Sequence, residues 1–273
     1  MRDRLRGAAA TSLVGLITMA GCGAPEGGSP SATPGSPASS APVAAPSPTD
    51  RRCGDPELND KQVTFATAAG AYLTGYLLGT GETALVLAAQ ASADSCSWLS
   101  FAKQQAAKGY RVLAFDFAGE GRSRRAPDTA NTSSTNSGDV EAAAKYAREH
   151  GASRVVLLGA SRGGTAVLVA AGRLTPPATA VISLSAPGSY EGESALDAVP
   201  RLTVPVLYLA ARGDTNFATA ARSLYDATPG TARQLVITPG GLHGHGFLVI
   251  AAEGASEGSA AIDAFLAAHA PPG

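Results

Sequence analysis

Ser161 stands in Gly159-Ala160-Ser161-Arg162-Gly163-Gly164, behind an apolar run at 154–158 and ahead of a helix-like stretch at 163–174. A hydroxyl on a sharp strand-to-helix turn can act as a nucleophile. The turn lifts the side chain clear of the sheet, and the first N–H groups of the helix point at a developing oxyanion. The serine must take a strained backbone conformation, in which side chains two positions either side would collide. Gly159 and Gly163 remove them, and Ala160 and Gly164 keep the surroundings small. A Gly-rich turn could instead simply pack tightly or bind phosphate. The phosphate motifs are excluded, because no Gly-Lys-Ser/Thr follows and the G-x-G-x-x-G spacing does not match.

A serine nucleophile needs a base and a group that orients the base. His243 and His245, in Gly241-Leu242-His243-Gly244-His245-Gly246, both fall between a strand ending near Ile237 and the last helix, so position alone does not separate them. His150 and His269 fall at the ends of expected helices, where a surface imidazole is explained by the helix C-terminus.

The elements that must carry these residues alternate along the chain. Strands are expected at 62–66 and 72–78 as a hairpin, then at 83–88, 111–115, 154–158, 180–184, 204–209 and 234–237. Helices are expected at 99–108, from an Asp139 cap to His150, and at 163–174, 218–227 and 260–268. Strands alternating with helices give an α/β class: one mostly parallel central sheet with helices on both faces, spanning 53–270. No internal repeat is visible.

From about Thr83 onward the chain resembles the α/β-hydrolase superfamily, in its compact esterase or dienelactone-hydrolase-like branch. The residues that carry the resemblance are Gly159 to Gly164, Gly109-Tyr110-Arg111-Val112 through Phe115-Asp116-Phe117, and Gly119-Glu120-Gly121-Arg122-Ser123. Val204-Pro205-Val206 with Asp214, and the late His243-Gly244, complete the set. The resemblance implies a triad in the order Ser161, Asp214, His243. Its His-Gly pattern leads to an apolar pair at the spacing of Phe247-Leu248, which favours His243 over His245, and Pro239-Gly240-Gly241 supplies a flexible approach. Asp116 also ends a strand but precedes the serine, and is expected to hold the 119–123 turn instead. The loop after the first core strand usually carries His-Gly and here reads Ala88-Ala89-Gln90-Ala91. Backbone N–H groups build an oxyanion hole, so Ala91 or Gln90 can still donate beside Arg162. The Arg162 side chain is expected in a surface salt bridge, with an acidic substrate as the other partner considered.

The chemistry implied is acyl transfer to water on small-molecule esters, with no metal and no organic cofactor required. A serine peptidase or thioesterase would use the same triad, and a catalytically silent, membrane-tethered binding protein would use the same fold. A haloalkane dehalogenase is disfavoured because the elbow residue is Ser rather than Asp. The 184–204 segment is short, leaving little room for a helical cap, so an open site is expected.

The start of the chain reads as an address. Arg2, Arg4 and Arg6, a short apolar stretch, and Met19-Ala20-Gly21-Cys22 resemble a bacterial lipoprotein signal, with Cys22 as the lipidated residue; an ordinary cleaved signal is the alternative. Residues 23–52 hold seven of the 18 prolines among Ser, Ala and Gly, which reads as a linker that cannot bury enough surface to order itself. Such a coil spans roughly 30 Å, or nearer 90 Å as polyproline II. Export would place Cys53 and Cys96 in an oxidising space, where they could pair. A net charge of -1, from 21 Lys plus Arg against 22 Asp plus Glu, argues against nucleic-acid binding. Membrane association is expected through the lipid alone, since no run of about 20 apolar residues occurs.

Overall fold

The computed structural model describes residues 53–127 and 135–273. The signal segment, Cys22 and the Pro/Ser/Ala-rich stretch lie outside the described residues. The chain begins with a hairpin, β1 (Gln62–Ala66) and β2 (Tyr72–Leu78), and enters the sheet centre at β3 (Thr83–Ala88). Helix α1 (Leu99–Ala107), β4 (Arg111–Phe115), α2 (Asn136–Glu149), β5 (Arg154–Ala160) and α3 (Arg162–Ala171) follow. After β6 (Ala180–Leu184) come a two-residue hairpin, β7 (Ser189–Tyr190) with β8 (Glu193–Ser194), and the single turn α4 (Ala195–Ala198). β9 (Val206–Ala211), α5 (Thr215–Ala227), β10 (Arg233–Thr238), α6 (Gly246–Val249) and α7 (Ala255–His269) complete the order.

Eight strands form one sheet in the order β1-β2-β4-β3-β5-β6-β9-β10. The β1–β2 and β2–β4 pairs are antiparallel and all the others parallel. β3 is buried along its whole length, as an apolar strand covered on both faces must be. Alternation sorts the side chains into two cores. Val86, Leu113, Phe115, Leu157 and Tyr208 face α2, α3 and α5. Leu85, Leu87, Val112, Val156, Leu158 and Leu207 face Trp98, α1 and α7.

The chain leaves β3 for β4 on one side and returns to β5 on the other. The loops after β3 and β5 therefore diverge and leave a crevice at the carboxyl ends of the two strands, the usual place for a site in an open α/β sheet. Between β6 and β9 the small hairpin and α4 take the place of a helical cap domain.

Cys53 and Cys96 are joined by a disulfide across a separation of 43 residues, with Cα atoms 5.3 Å apart. It ties the start of the domain to the turn ahead of Trp98. Closing a loop of that length restricts the unfolded chain by about 4 kcal/mol in the chain-entropy model.

Helices α5 and α7 begin earlier than expected, at Thr215 and Ala255 rather than at 218 and 260, and the cap of α2 also differs. Thr135, not Asp139, caps α2, with its Oγ1 accepting from Gly138 N–H at 3.1 Å. Asp139 is buried one turn further on, and its carboxylate accepts the Ala118 N–H at 2.8 Å. An acidic residue in a first turn suits the helix dipole equally well in either place, so composition could not separate the two.

Candidate active site

Ser161 caps α3 directly after β5, with φ 49° and ψ −115°, a region that L-residues avoid. The strain is held from both sides. Ser161 N–H donates to Leu184 O at 2.7 Å, and Thr165 N–H donates to Ser161 O at 3.1 Å. A side chain at Gly159 would overlap the carbonyl of Gly163, and one at Gly163 would overlap that of Ala88. The two glycines are therefore required by contact between β5, α3 and the end of β3.

The acid and the histidine come from neighbouring parallel strands. β9 and β10 stay in register to Ala211 opposite Thr238. Beyond them Arg212 N–H donates to Thr238 O at 2.9 Å and Gly213 N–H to Gly240 O at 2.8 Å. This stitching brings Asp214 and His243 together, with His243 Nδ1 2.7 Å from Asp214 Oδ2. It is His243, not His245, that meets the acid. Phe217, one turn into α5, packs edge-on against the His243 ring at 4.3 Å. Its position three residues after Asp214 was the only sequence sign of that contact.

The histidine loop also reaches the serine turn. Gly244, at φ 55°, lies where any side chain would press on Ala160 Cβ and overlap Gln90 Oε1. The same Gln90 oxygen accepts the His245 N–H at 3.3 Å. Gln90 thus connects the loop after β3 to the loop carrying His243. Its neighbours are 155 residues away in sequence, which is why its side chain carried no signal.

Arg162 departs from expectation. It does form a salt bridge, but the bridge is buried, its side chain being only 5% exposed. Both guanidinium ends hold the Glu120 carboxylate, one of them at 2.5 Å, and the plane lies 4.4 Å over the Phe117 ring. One nitrogen also reaches Gln90 O at 3.4 Å. A guanidinium already spent on a carboxylate and a ring does not serve an acidic substrate; it fixes the loop after β3 against α3. The backbone N–H groups of Gln90, Ala91 and Arg162 take no partner among the described residues. They are available as oxyanion donors.

Asp116 is fully buried and does what its place before the serine implied. Its carboxylate accepts from Arg122 N–H at 2.9 Å and from Ser95 N–H at 2.8 Å, holding the 119–123 turn and the turn before Trp98. His245 is half-buried against Trp98, 5.8 Å between ring centres. Burial first, and His243 second, push its imidazole below the ordinary histidine range. His150 is the C-cap of α2 and stacks on Tyr146, whose carbonyl its ring nitrogen meets at 2.8 Å.

Residues 83–203 match the family model described as the alpha/beta hydrolase fold. Among solved structures, an esterase of Pyrococcus furiosus is 16% identical with a TM-score of 0.63, over 77% of this chain and 92% of that one. A Paleococcus ferrophilus monoacylglycerol lipase is 16% identical with a TM-score of 0.61, over 72% and 99%. The esterase domain of a Rhodothermus marinus protein is 21% identical with a TM-score of 0.58, over 77% and 98%. No curated protein matches the chain by sequence. Sheet order, the strained Ser161 turn and the match over residues 83–203 together identify the chain as an α/β-hydrolase-fold protein.

Proposed function

We propose that the protein is a serine hydrolase that cleaves small carboxylic esters through an acyl-enzyme. The observation that carries this reading is the 2.7 Å His243–Asp214 hydrogen bond on a histidine loop whose Gly244 lies against Ala160 of the strained Ser161 turn. Asp214 fixes the tautomer, leaving His243 Nε2 to take the Ser161 proton as Oγ attacks the ester carbonyl. The oxyanion forms beside the N–H of Arg162 and that of Gln90 or Ala91, each donor typically contributing about 10²- to 10³-fold in rate. His243 then protonates the leaving alcohol, and water cleaves the acyl-enzyme with the same groups in reversed roles. No step calls on a metal or an organic cofactor. The esterase and the monoacylglycerol lipase among the structural relatives agree with this reading.

With only a hairpin of two-residue strands, one α-helical turn and one 3-10 turn at Val199–Arg201 between β6 and β9, that connection has too little chain to wrap a long acyl group. The expected result is turnover of para-nitrophenyl acetate with kcat/KM at least about tenfold above that of the palmitate ester. Preference for palmitate would overturn the open-site account. Turnover of peptide or thioester substrates above the acetate ester would move the protein to the peptidase or thioesterase reading.

The leader and linker support export, with anchoring through acylated Cys22. Expressed in a bacterial host, the chain should sediment with membranes and Cys22→Ala should release it to the soluble exported fraction. Release of the unaltered chain would make the leader an ordinary signal.

A further inference from the structure

A depression of about 640 Å³ lies beside the proposed oxyanion loop, lined by Gln90, Ser92, Asp94, Ser97, Glu120 and His245 among others. None of Ser161, Asp214 and His243 lines it, but three of its residues tie it to the loops that carry them and the expected oxyanion donors. Gln90 belongs to the loop of the expected oxyanion donors, His245 lies two residues beyond His243, and Glu120 is the partner of Arg162. The volume is in the range that holds a small organic ligand.

The lining surface is mixed, but six of its eight residues carry polar side chains, and an alkyl chain placed there would strip these groups of water without replacing their hydrogen bonds. What each group has left to offer can be counted. Glu120 has both oxygens on Arg162. Gln90 has its oxygen on His245 N–H, leaving the amide NH₂ as donor. Ser97 gives its hydroxyl proton to Asp94 O at 2.7 Å, leaving lone pairs. One Asp94 oxygen takes Cys96 N–H at 3.0 Å, and the other remains an acceptor. The Ser92 hydroxyl is exposed and does either. His245 has Nδ1 buried without a partner, so Nε2 is its working nitrogen; kept neutral by burial, the ring donates or accepts according to tautomer.

Donors and acceptors mixed on adjoining walls match hydroxyl groups, each of which does both. An anion would meet two carboxylates. A cation would find one uncompensated carboxylate and no exposed aromatic face, since Trp98 is fully buried. We propose that this depression is a subsite for a polyhydroxylated leaving group, such as a sugar acylated on one hydroxyl. The proposal rests on the serine-hydrolase reading and narrows its substrate class.

The test compares kcat/KM for 6-O-acetylglucose, cyclohexylmethyl acetate and acetylcholine, in the wild type and in His245→Phe, with para-nitrophenyl acetate as a check on the triad. The acyl group is constant, and the first two leaving groups share a ring while differing in hydroxyls. The glucose ester should be favoured over the cyclohexylmethyl ester at least about tenfold, a modest figure for a site that pairs with hydroxyls. That ratio should fall towards one in His245→Phe, which keeps a flat ring against Trp98. A wild-type ratio of one or less, a ratio unmoved by the substitution, or a best rate with acetylcholine overturns the subsite. If His245→Phe fails to fold, the wild-type ratio and stronger inhibition by free glucose than by cyclohexylmethanol decide alone. Cleavage of para-nitrophenyl acetate without sugar preference removes only the subsite, whereas no turnover of any ester removes the hydrolase reading with it.

Discussion

His243→Ala is expected to lower kcat/KM on para-nitrophenyl acetate by about 10⁴-fold or more, while His245→Ala lowers it by no more than about tenfold. The gap reflects position. His243 is held by Asp214 at 2.7 Å and braced by Phe217, so its other nitrogen has a fixed direction. His245 is tied into the structure through its backbone N–H, a bond that alanine keeps, and its ring lies against Trp98. A factor of 10⁴ is about 5.5 kcal/mol of transition-state stabilisation, well beyond what lost packing at a half-buried ring would take from the reaction. Steady-state kinetics on both variants, with circular dichroism to verify folding, gives the comparison; a dead His245→Ala beside an active His243→Ala would reverse the assignment.

Asp214→Asn should be nearly as damaging, about 10⁴-fold in kcat with KM little changed, because the acid acts on the imidazolium that exists only during reaction. Asp214 sits at the N-cap of α5 yet makes no side-chain capping bond there. Asparagine therefore costs the helix little, and the loss can be read as orientation and charge. A kcat within tenfold of wild type would mean that another group orients His243.

Much of this site was legible because its parts are local. The strand-turn-helix around Ser161 needs small residues for reasons of contact, and Gly159, Ala160, Gly163 and Gly164 display that need in order. The strands β1, β2, β3, β4 and β6 occupy the residues expected of them: β3, β4 and β6 as apolar runs buried along their whole length, β1 and β2 as the arms of a hairpin. Cys53 and Cys96 pair, as expected of the two cysteines of the domain. What stayed hidden depends on contacts distant in sequence. Arg162 looked like a surface cation because nothing nearby is acidic; its partner Glu120 is 42 residues away and arrives only when β4 and β5 flank β3. Gln90 read as a backbone donor, and its side-chain bond to the histidine loop exists only in the folded sheet. Asp139 read as a helix cap because its real partner, Ala118 N–H, lies on the loop after β4.

The central claim is that Ser161 is an activated nucleophile, and a fluorophosphonate probe tests it without knowledge of the natural substrate. Such a probe forms a covalent bond to a serine oxygen only where a base removes the proton and donors receive the phosphonyl oxygen. Peptide mapping by mass spectrometry after labelling should place a single adduct on Ser161, lost in Ser161→Ala and formed far more slowly in His243→Ala. A folded protein with intact Ser161 that takes no label would contradict the account and leave a binding protein on a hydrolase fold.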